Sequence, residues 1–249
     1  MNIQSRDVAQ TVQNESELTV EVGARAVLVE QKPAPATKIV IGDNAVVTHY
    51  RLIDETANEV EIDIGEGAVY RLVTVCVGKG GAVIRACLNG RRAECDSNVL
   101  YVLNGDDETA VTSDFRHNAD ETVSSQLIKG AVFGRGRASF EGGVFIPYDK
   151  KAIDGSQQHR ALLLSDDAQV SAVPKLEIYA DDVKCAHGSA VGSLDRDALY
   201  YLKTRGIAEP QARQLLTEGF LNDVLLKVAD DGFRRFLTDK VRQKAGFVS

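Results

Sequence analysis

From Ala24 to Ile146 apolar and polar residues alternate in short runs, each bounded by Gly, Asn or Asp. A period of two sends one set of side chains to a single face, so these runs predict half-buried β-strands. Ten are expected: Ala24 to Val29, Lys38 to Ile41, Ala45 to Leu52, Glu59 to Ile64, Ala68 to Val77, Ala82 to Leu88, Asn98 to Leu103, Ala110 to Phe115, Thr122 to Lys129 and Ala138 to Ile146. The five prolines stand at 33, 35, 147, 174 and 210, which leaves residues 36–146 without one. Proline cannot donate to a strand ladder, so a proline-free tract rich in Val, Ile and Thr fits interior, paired strands.

A loose repeat runs through this tract. Ile41 to Val46, Ile64 to Val69, Val77 to Val83 and Asn104 to Val111 each carry a Gly-containing turn followed by Ala-Val, and their alanines lie 23, 14 and 28 residues apart. Such spacing suits a solenoid of stacked β-rungs with variable corners, in which each rung buries its apolar face only against its neighbours. It suits a β-sandwich equally well, because sandwich strands also recur at short intervals.

The last quarter has a different period. Leu194, Ala198, Leu199 and Leu202 recur at helical spacing and stop at Gly206. Pro210 opens a second helix, with Ala212, Leu215, Leu216, Phe220, Val224 and Val228 as its apolar stripe. Asp230 or Asp231 caps a third, carrying Phe233, Phe236, Leu237 and Val241. The expected organisation is an N-terminal segment (1–23), a β core (24–192) and a C-terminal helical segment (193–249).

Charge and cysteine usage narrow the function classes. Residues 1–120 hold 11 basic and 19 acidic side chains, a balance of −8, and residues 121–249 hold 18 and 17, a balance of +1. A net −7 with no basic run longer than a pair argues against a nucleic-acid partner. Met1 to Gln13 has no apolar stretch behind its single Arg6, and the longest strongly apolar run, Leu72 to Val77, is far below the roughly 20 residues of a membrane span. A cytoplasmic protein with reduced thiols is expected, since Cys76, Cys87, Cys95 and Cys185 show no CxxC spacing.

Gly130 to Gly136 lacks the phosphate-loop pattern and reads as a turn. His49 and His117 have no partner at ligand spacing and read as structural, and His159 as a turn or capping residue. Asp181 and Asp182 are adjacent strand residues that face opposite ways, which argues against a shared proton or ion.

One stretch is more specific. Ala161 to Ala168 is followed by Pro174-Lys175-Leu176-Glu177-Ile178-Tyr179-Ala180-Asp181-Asp182-Val183-Lys184-Cys185-Ala186-His187-Gly188, then by Val191 to Asp195 and Leu199 to Ile207. This order resembles the SufD branch of the SufB/SufD family of iron-sulfur cluster assembly proteins. The likeness is strong from about Ala161 to Val224 and looser from about Ala24 to Gly155. It implies a right-handed β-helix followed by C-terminal helices, and a scaffold with no enzymatic step of its own.

The implied partners are a SufB-like subunit met through the β core, a SufC-type ATPase met through the helices, and apoprotein acceptors. The implied cargo is a transient iron-sulfur cluster shared with the partner subunit, with flavin involvement left open. His187 matches the family's motif histidine at the subunit interface and Cys185 the cysteine beside it. A strand places both on one face, and iron and sulfide suit thiolate and imidazole, but two side chains are too few to hold a cluster. A small buried Cys and a hydrogen-bonded His are the plainer alternatives. Tyr200, Tyr201 and Phe220 are the expected contacts for the ATPase; the two tyrosines are adjacent, so at least one should face outward.

The chain departs from the family in several places. It has His159-Arg160-Ala161 where an Asn-rich approach is usual, a hydroxyl at Ser189, strand-like sequence by Ala24 without an extended helical start, and no glutamate-rich SufB equivalent. A homodimeric SufB/SufD-type scaffold is the alternative reading, and a β-helical carbohydrate-active enzyme a remote one.

Overall fold

The computed structural model of the chain describes residues 1–4, 10–12 and 14–247; Arg6 and Gln13 lie outside them. Strands alternate between two sheets. β1 (Asn2–Ile3), β3 (Glu17–Val20), β5 (Ala36–Ile41), β7 (Ala57–Ile64), β9 (Gly80–Leu88), β11 (Glu108–His117), β13 (Arg137–Ile146) and β15 (Gln169–Ile178) build one. β2 (Gln10–Thr11), β4 (Arg25–Glu30), β6 (Val46–Asp54), β8 (Val69–Val77), β10 (Glu94–Leu103), β12 (Val123–Val132), β14 (Lys151–Leu163) and β16 (Asp182–Gly192) build the other. Every ladder is parallel, and each strand pairs with the strand two places away in the chain. An odd strand and the next even strand therefore form one rung, and the rungs stack into a β-solenoid. The antiparallel sandwich left open by periodicity alone is thereby excluded.

All ten expected strands are present, shifted by a few residues at their ends. The strands β1 to β3 lie before Ala24 and join the same two sheets. Gly130 belongs to β12 and not to a turn. The Gly-Ala-Val repeat turns out to mix two kinds of corner. Ala45 and Ala68 precede even strands one rung apart, whereas Ala82 and Ala110 lie in odd strands, so the 14-residue step crosses between sheets. Corners leading into even strands reuse one conformation: Gly23, Asn44, Gly67, Arg92 and Glu121 all have φ between 57° and 70°. Glycine and Asn enter that left-handed region at least cost, which explains their prominence in the repeat.

Rungs lengthen along the stack. Partners in the even sheet are 21 residues apart at Arg25↔Val46 and 31 apart at Val123↔Asp154. Between the sheets lies an apolar core that includes Leu18, Leu28, Ile39, Val47, Ile62, Leu72, Ile84, Val99, Phe115 and Phe140. Burying a side chain of this size contributes roughly 1.5–3 kcal/mol, and the alternation of inward and outward residues sets the register of every ladder.

Three helices follow: α1 (Arg196–Thr204), α2 (Glu209–Leu225) and α3 (Asp231–Ala245). Their limits obey the expected signals. The Asp195 carboxylate accepts from the backbone of Asp197 and Ala198, Pro210 lies in the first turn of α2, the Asp230 carboxylate accepts from Phe233 N at 2.6 Å, and Gly246 ends α3 at φ 72°. α2 and α3 lie on the outer face of the even sheet, where Leu221, Val224, Leu225, Phe233, Leu237 and Val241 pack on Tyr50, Leu52, Val73, Val75, Leu100 and Val102. This second core explains why β6, β8 and β10 are apolar on both faces. The buried face of α2 runs through Ala212, Thr217, Leu221, Val224 and Leu225, and Leu215, expected in the stripe, is exposed. Apolar residues surround that helix on more than one side, so periodicity alone did not select its inner face.

Polar groups enter the solenoid interior where partners exist. Glu30, His49 and Arg51 are all fully buried, with Arg51 Nε donating to Glu30 Oε2 at 2.6 Å and His49 Nε2 lying 3.2 Å from the same oxygen. Burial raises the Glu30 pKa, but the contacts with His49 and Arg51 outweigh it and hold the carboxyl at about 2. His117 bonds Thr122 Oγ1 at 2.8 Å and Ser124 Oγ at 2.9 Å, and His159 lies within β14. None of these histidines sits in a turn, so the turn or cap reading of His159 is corrected to a core position.

Burial lowers the pKa of His117 and of His159 to about 4. The unfolded chain binds a proton at each as pH falls through about 6.5, while the folded chain stays neutral until about 4, so stability is lost across that window. We expect roughly 2 kcal/mol of loss for each between pH 7 and pH 5, read from urea unfolding midpoints, with His117→Gln flattening the slope. A midpoint constant from pH 7 to pH 5 would contradict their neutral burial.

Candidate functional site

Each rung covers the one before it, and β15 and β16 end their sheets. Among the described residues nothing covers their outer edges. The residues of β15 and β16 are half-buried or exposed throughout, in contrast to the buried inward positions of β10 or β12. A row of unpaired backbone donors and acceptors on two adjacent strands is a template for another chain.

The inward row of β16 is Val183, Cys185, His187, Ser189 and Val191. Register places these over β14, with Gly155 beneath Cys185, Gln157 beneath His187 and His159 beneath Ser189. The expected pair of Cys185 and His187 therefore does share one face, at the open end. Cys185 is half-buried against a small cluster that includes Val144, Ile146 and Ile153. Gly155 makes its seat, since a Cβ there would stand 3.3 Å from Cys185 Sγ and 3.4 Å from Val144 Cγ1. Burial, with the Asp154 charge adding to it, raises the thiol pKa against the opposing hydrogen bond to Gly155. The thiol is thus protonated near neutrality, and a metal ion would have to displace that proton. His187 is exposed and has no hydrogen-bond partner among the described residues.

Among the described residues no three His, Cys, Asp or Glu side chains gather to hold a metal ion. Cys185 and His187 offer two donors of the type that iron accepts, and any further ligands would come from outside this set. Beneath them the rung is polar. Gln157 Nε2 donates to Gln126 Oε1 at 3.0 Å, the same oxygen accepts from Ser113 Oγ at 2.7 Å, and Gln157 Oε1 is buried without a partner. Sequence reading missed Gly155 and Gln157 and misplaced His159. The signal that would have found them is the rung offset of 30 residues, which no repeat in the sequence displays.

The other candidates separate by position. Cys76 and Cys95 are buried in β8 and β10, and burial pushes the Cys76 thiol up to about 12 and Cys95 above its ordinary value. Asp182 accepts from Ala152 N at 3.0 Å across the register shift of β14, while Asp181 is exposed, so the two are not a carboxylate pair. Tyr200 is 70% and Tyr201 55% exposed on α1, which has no buried residue; both tyrosines, and not one, face outward. The Arg205 guanidinium lies over the Tyr201 ring, 5.2 Å from its centroid. Phe220 is half-buried in the seam between α2 and the even sheet, with Lys129 Nζ 4.0 Å from its ring centroid. No helix is long and apolar enough to cross a membrane among the described residues.

Iodoacetamide applied to the folded chain at pH 8, followed by peptide mass spectrometry, should modify Cys87 and Cys185, the two half-buried thiols, and spare Cys76 and Cys95 until urea unfolds the protein. Modification of Cys95 in the folded state would refute the closed interior.

Comparison with known proteins bears on what this end serves. Residues 2–220 match the family model described as SUF system FeS cluster assembly, SufBD core domain. The chain is 32% identical over 169 residues to the iron-sulfur cluster assembly protein SufD of Escherichia coli, a match covering 66% of this chain and 40% of that protein. It is 31% identical over 247 residues to an iron-sulfur cluster assembly SufBD family protein of Mycobacterium tuberculosis, covering 90% of this chain and 61% of the other, and 26% identical over 217 residues to SufD of Bacillus subtilis, covering 84% and 49%. The chain thus spans about half the length of these curated relatives. A family match over most of a chain that folds as a parallel solenoid with a trailing helical segment places this protein in the SufB/SufD family of iron-sulfur cluster assembly proteins.

Proposed function

We propose that this chain is a SufD-like scaffold subunit that pairs through its open last rung with a SufB-like subunit, carries a SufC-type ATPase on residues 193–249, and helps build a cluster for apoproteins in the cytoplasm. The observation that carries the reading is the placement of Cys185 and His187 on the inward row of an uncovered rung. A partner that adds strands to β15 and β16 would satisfy their free backbone groups and bring its own side chains opposite this row. Two ligand-type side chains here and the remainder there would make a site that exists only in the complex, suited to a cluster that is built and then released. Iron and sulfide are the substrate of this site and not a resident cofactor.

The helical segment supports the docking half. α2 and α3 already bury their inner faces on the even sheet, and the side away from it still exposes Tyr200, Tyr201, Leu215 (50%) and Leu226 (66%). Aromatic and aliphatic side chains left outward on a helical surface are the type that anchors protein contacts. Phe220 contributes to the seam, so its replacement would unseat α2 as well as remove a contact.

Co-expression with a SufB-like and a SufC-like subunit tests both halves. His187→Ala should leave the complex intact and abolish cluster assembly, and Cys185→Ser should reduce it; assembly at the wild-type rate in His187→Ala would overturn the site. Tyr200→Asp with Tyr201→Asp should weaken co-purification of the ATPase by about tenfold or more, the scale of a contact worth at least 1.4 kcal/mol. Undiminished binding by the folded double variant would remove that assignment. Cluster absorbance from the isolated chain after anaerobic reconstitution would replace the heteromeric reading with a homodimeric scaffold.

A further inference from the structure

A hydrogen-bonded column leads from deep in the solenoid to the open rung. Tyr101 is fully buried on β10, and its hydroxyl oxygen lies 3.0 Å from His159 Nε2 on β14, two strands away in the same sheet. The ring crosses the intervening strand because Gly130 stands beside it in register; a Cβ at 130 would fall 2.0 Å from Tyr101 Cζ. His159 is also fully buried, stacked on Phe140 with ring centroids 4.8 Å apart and planes 4° from parallel. Its second nitrogen, Nδ1, lies 3.2 Å from Ser189 Oγ on β16. Gly142 leaves room for the stacked ring, since a Cβ there would be 2.4 Å from Phe140 Cζ.

The direction of this column follows from satisfying its buried groups. Tyr101 has no hydrogen-bond partner other than His159 among the described residues. If Nε2 carried the proton and donated to the tyrosine, the phenolic hydrogen would be buried with no acceptor, at a cost of about 1–3 kcal/mol. The phenol therefore donates to Nε2. The proton of the neutral imidazole is then on Nδ1, and it is donated to Ser189 Oγ. Burial keeps His159 neutral, with its pKa lowered to about 4, so a second ring proton does not disturb the arrangement near pH 7. Ser189 is exposed, and its oxygen is occupied as an acceptor from beneath. Its own O–H is left to point away from His159, over the open rung.

We infer that Ser189 is a further binding residue of the site, fixed as a hydrogen-bond donor by Tyr101 and His159 as positioning residues, and that it serves an anionic sulfur, sulfide or thiolate, held at His187. The acceptor class follows from the row itself. Cys185, His187 and Ser189 follow one another at two-residue intervals, about 7 Å apart, which puts the hydroxyl within one small inorganic group of the imidazole. A thiol, an imidazole and an outward O–H carry no negative charge, and none competes with an anion. Hydrogen bonds to sulfur stabilise its reduced, more anionic forms and are a recognised means of tuning such sites. The role of the acceptor rests on the cluster-site reading above, whereas the direction of the column does not.

Two measurements separate them. In the isolated chain, nitrogen-15 NMR of the imidazoles at pH 7 should show His159 protonated at Nδ1 and bare at Nε2, and Tyr101→Phe, which removes only the phenolic oxygen, should abolish that preference. A proton on Nε2 in the wild type would overturn the relay. In the co-expressed complex, Ser189→Ala should slow cluster assembly roughly tenfold, in the range found for residues that support metal ligands, while Ser189→Thr keeps the donor and stays within about twofold of wild type. Impaired His187→Ala beside unimpaired Ser189→Ala removes Ser189 from the site, and unimpaired assembly in both removes the site as well.

Discussion

In a solenoid each rung can bury its inner face and pair its backbone only with the rungs beside it, so the stack cannot satisfy its own last member. Every other feature of the functional end follows from this constraint. The inward side chains of β16 would be core residues in any other rung. Here they are half-buried or exposed, and the positions that an apolar core would fill hold a thiol, an imidazole and a hydroxyl. The site is made from what would otherwise be interior, which is why it is shaped by the rung beneath it.

The interior beneath is accordingly different from a plain hydrocarbon core. Glu30 with Arg51 and His49, His117 with Thr122 and Ser124, and Gln126 with Ser113 and Gln157 each place a polar group where its partner is one or two strands away. Buried polar groups of this sort are tolerable only when paired, and pairing across strands makes register more specific than apolar packing alone would. Glycine at 130, 142 and 155 supplies the space that large or polar neighbours need. Substituting any of the three would force Tyr101, Phe140 or Cys185 out of place.

Much of the architecture was legible in the sequence because solenoid strands announce themselves by alternation, turn residues and the absence of proline. The helices were legible from their caps, with Asp195, Pro210, Asp230 and Gly246 doing what their chemistry prescribes. The short β1, β2 and β3 were not, because two to four residues carry no measurable period. Cys185 and His187 emerged from a local motif. Gly155, Gln157 and His159 did not, because their relation to that motif is a stacking offset, and a stack whose offset drifts from 21 to 31 residues leaves no fixed repeat to detect. Phe220 and Leu215 show a related limit, for a helix with apolar residues on several sides does not say which one the sheet will cover.

The lengthening of the rungs has a consequence for how copies can associate. Parallel solenoids with matching ends risk growing head to tail into fibres, since each exposed edge would template the next copy without closing. Here the first strands of the two sheets are two residues long, while the last are ten and eleven. A narrow end cannot cover a wide one, so most of the backbone groups on β15 and β16 would stay unpaired in such a chain. Taper thus restricts the open rung to partners that present an edge of similar width, and it turns a surface prone to polymerise into one that favours a closed pair.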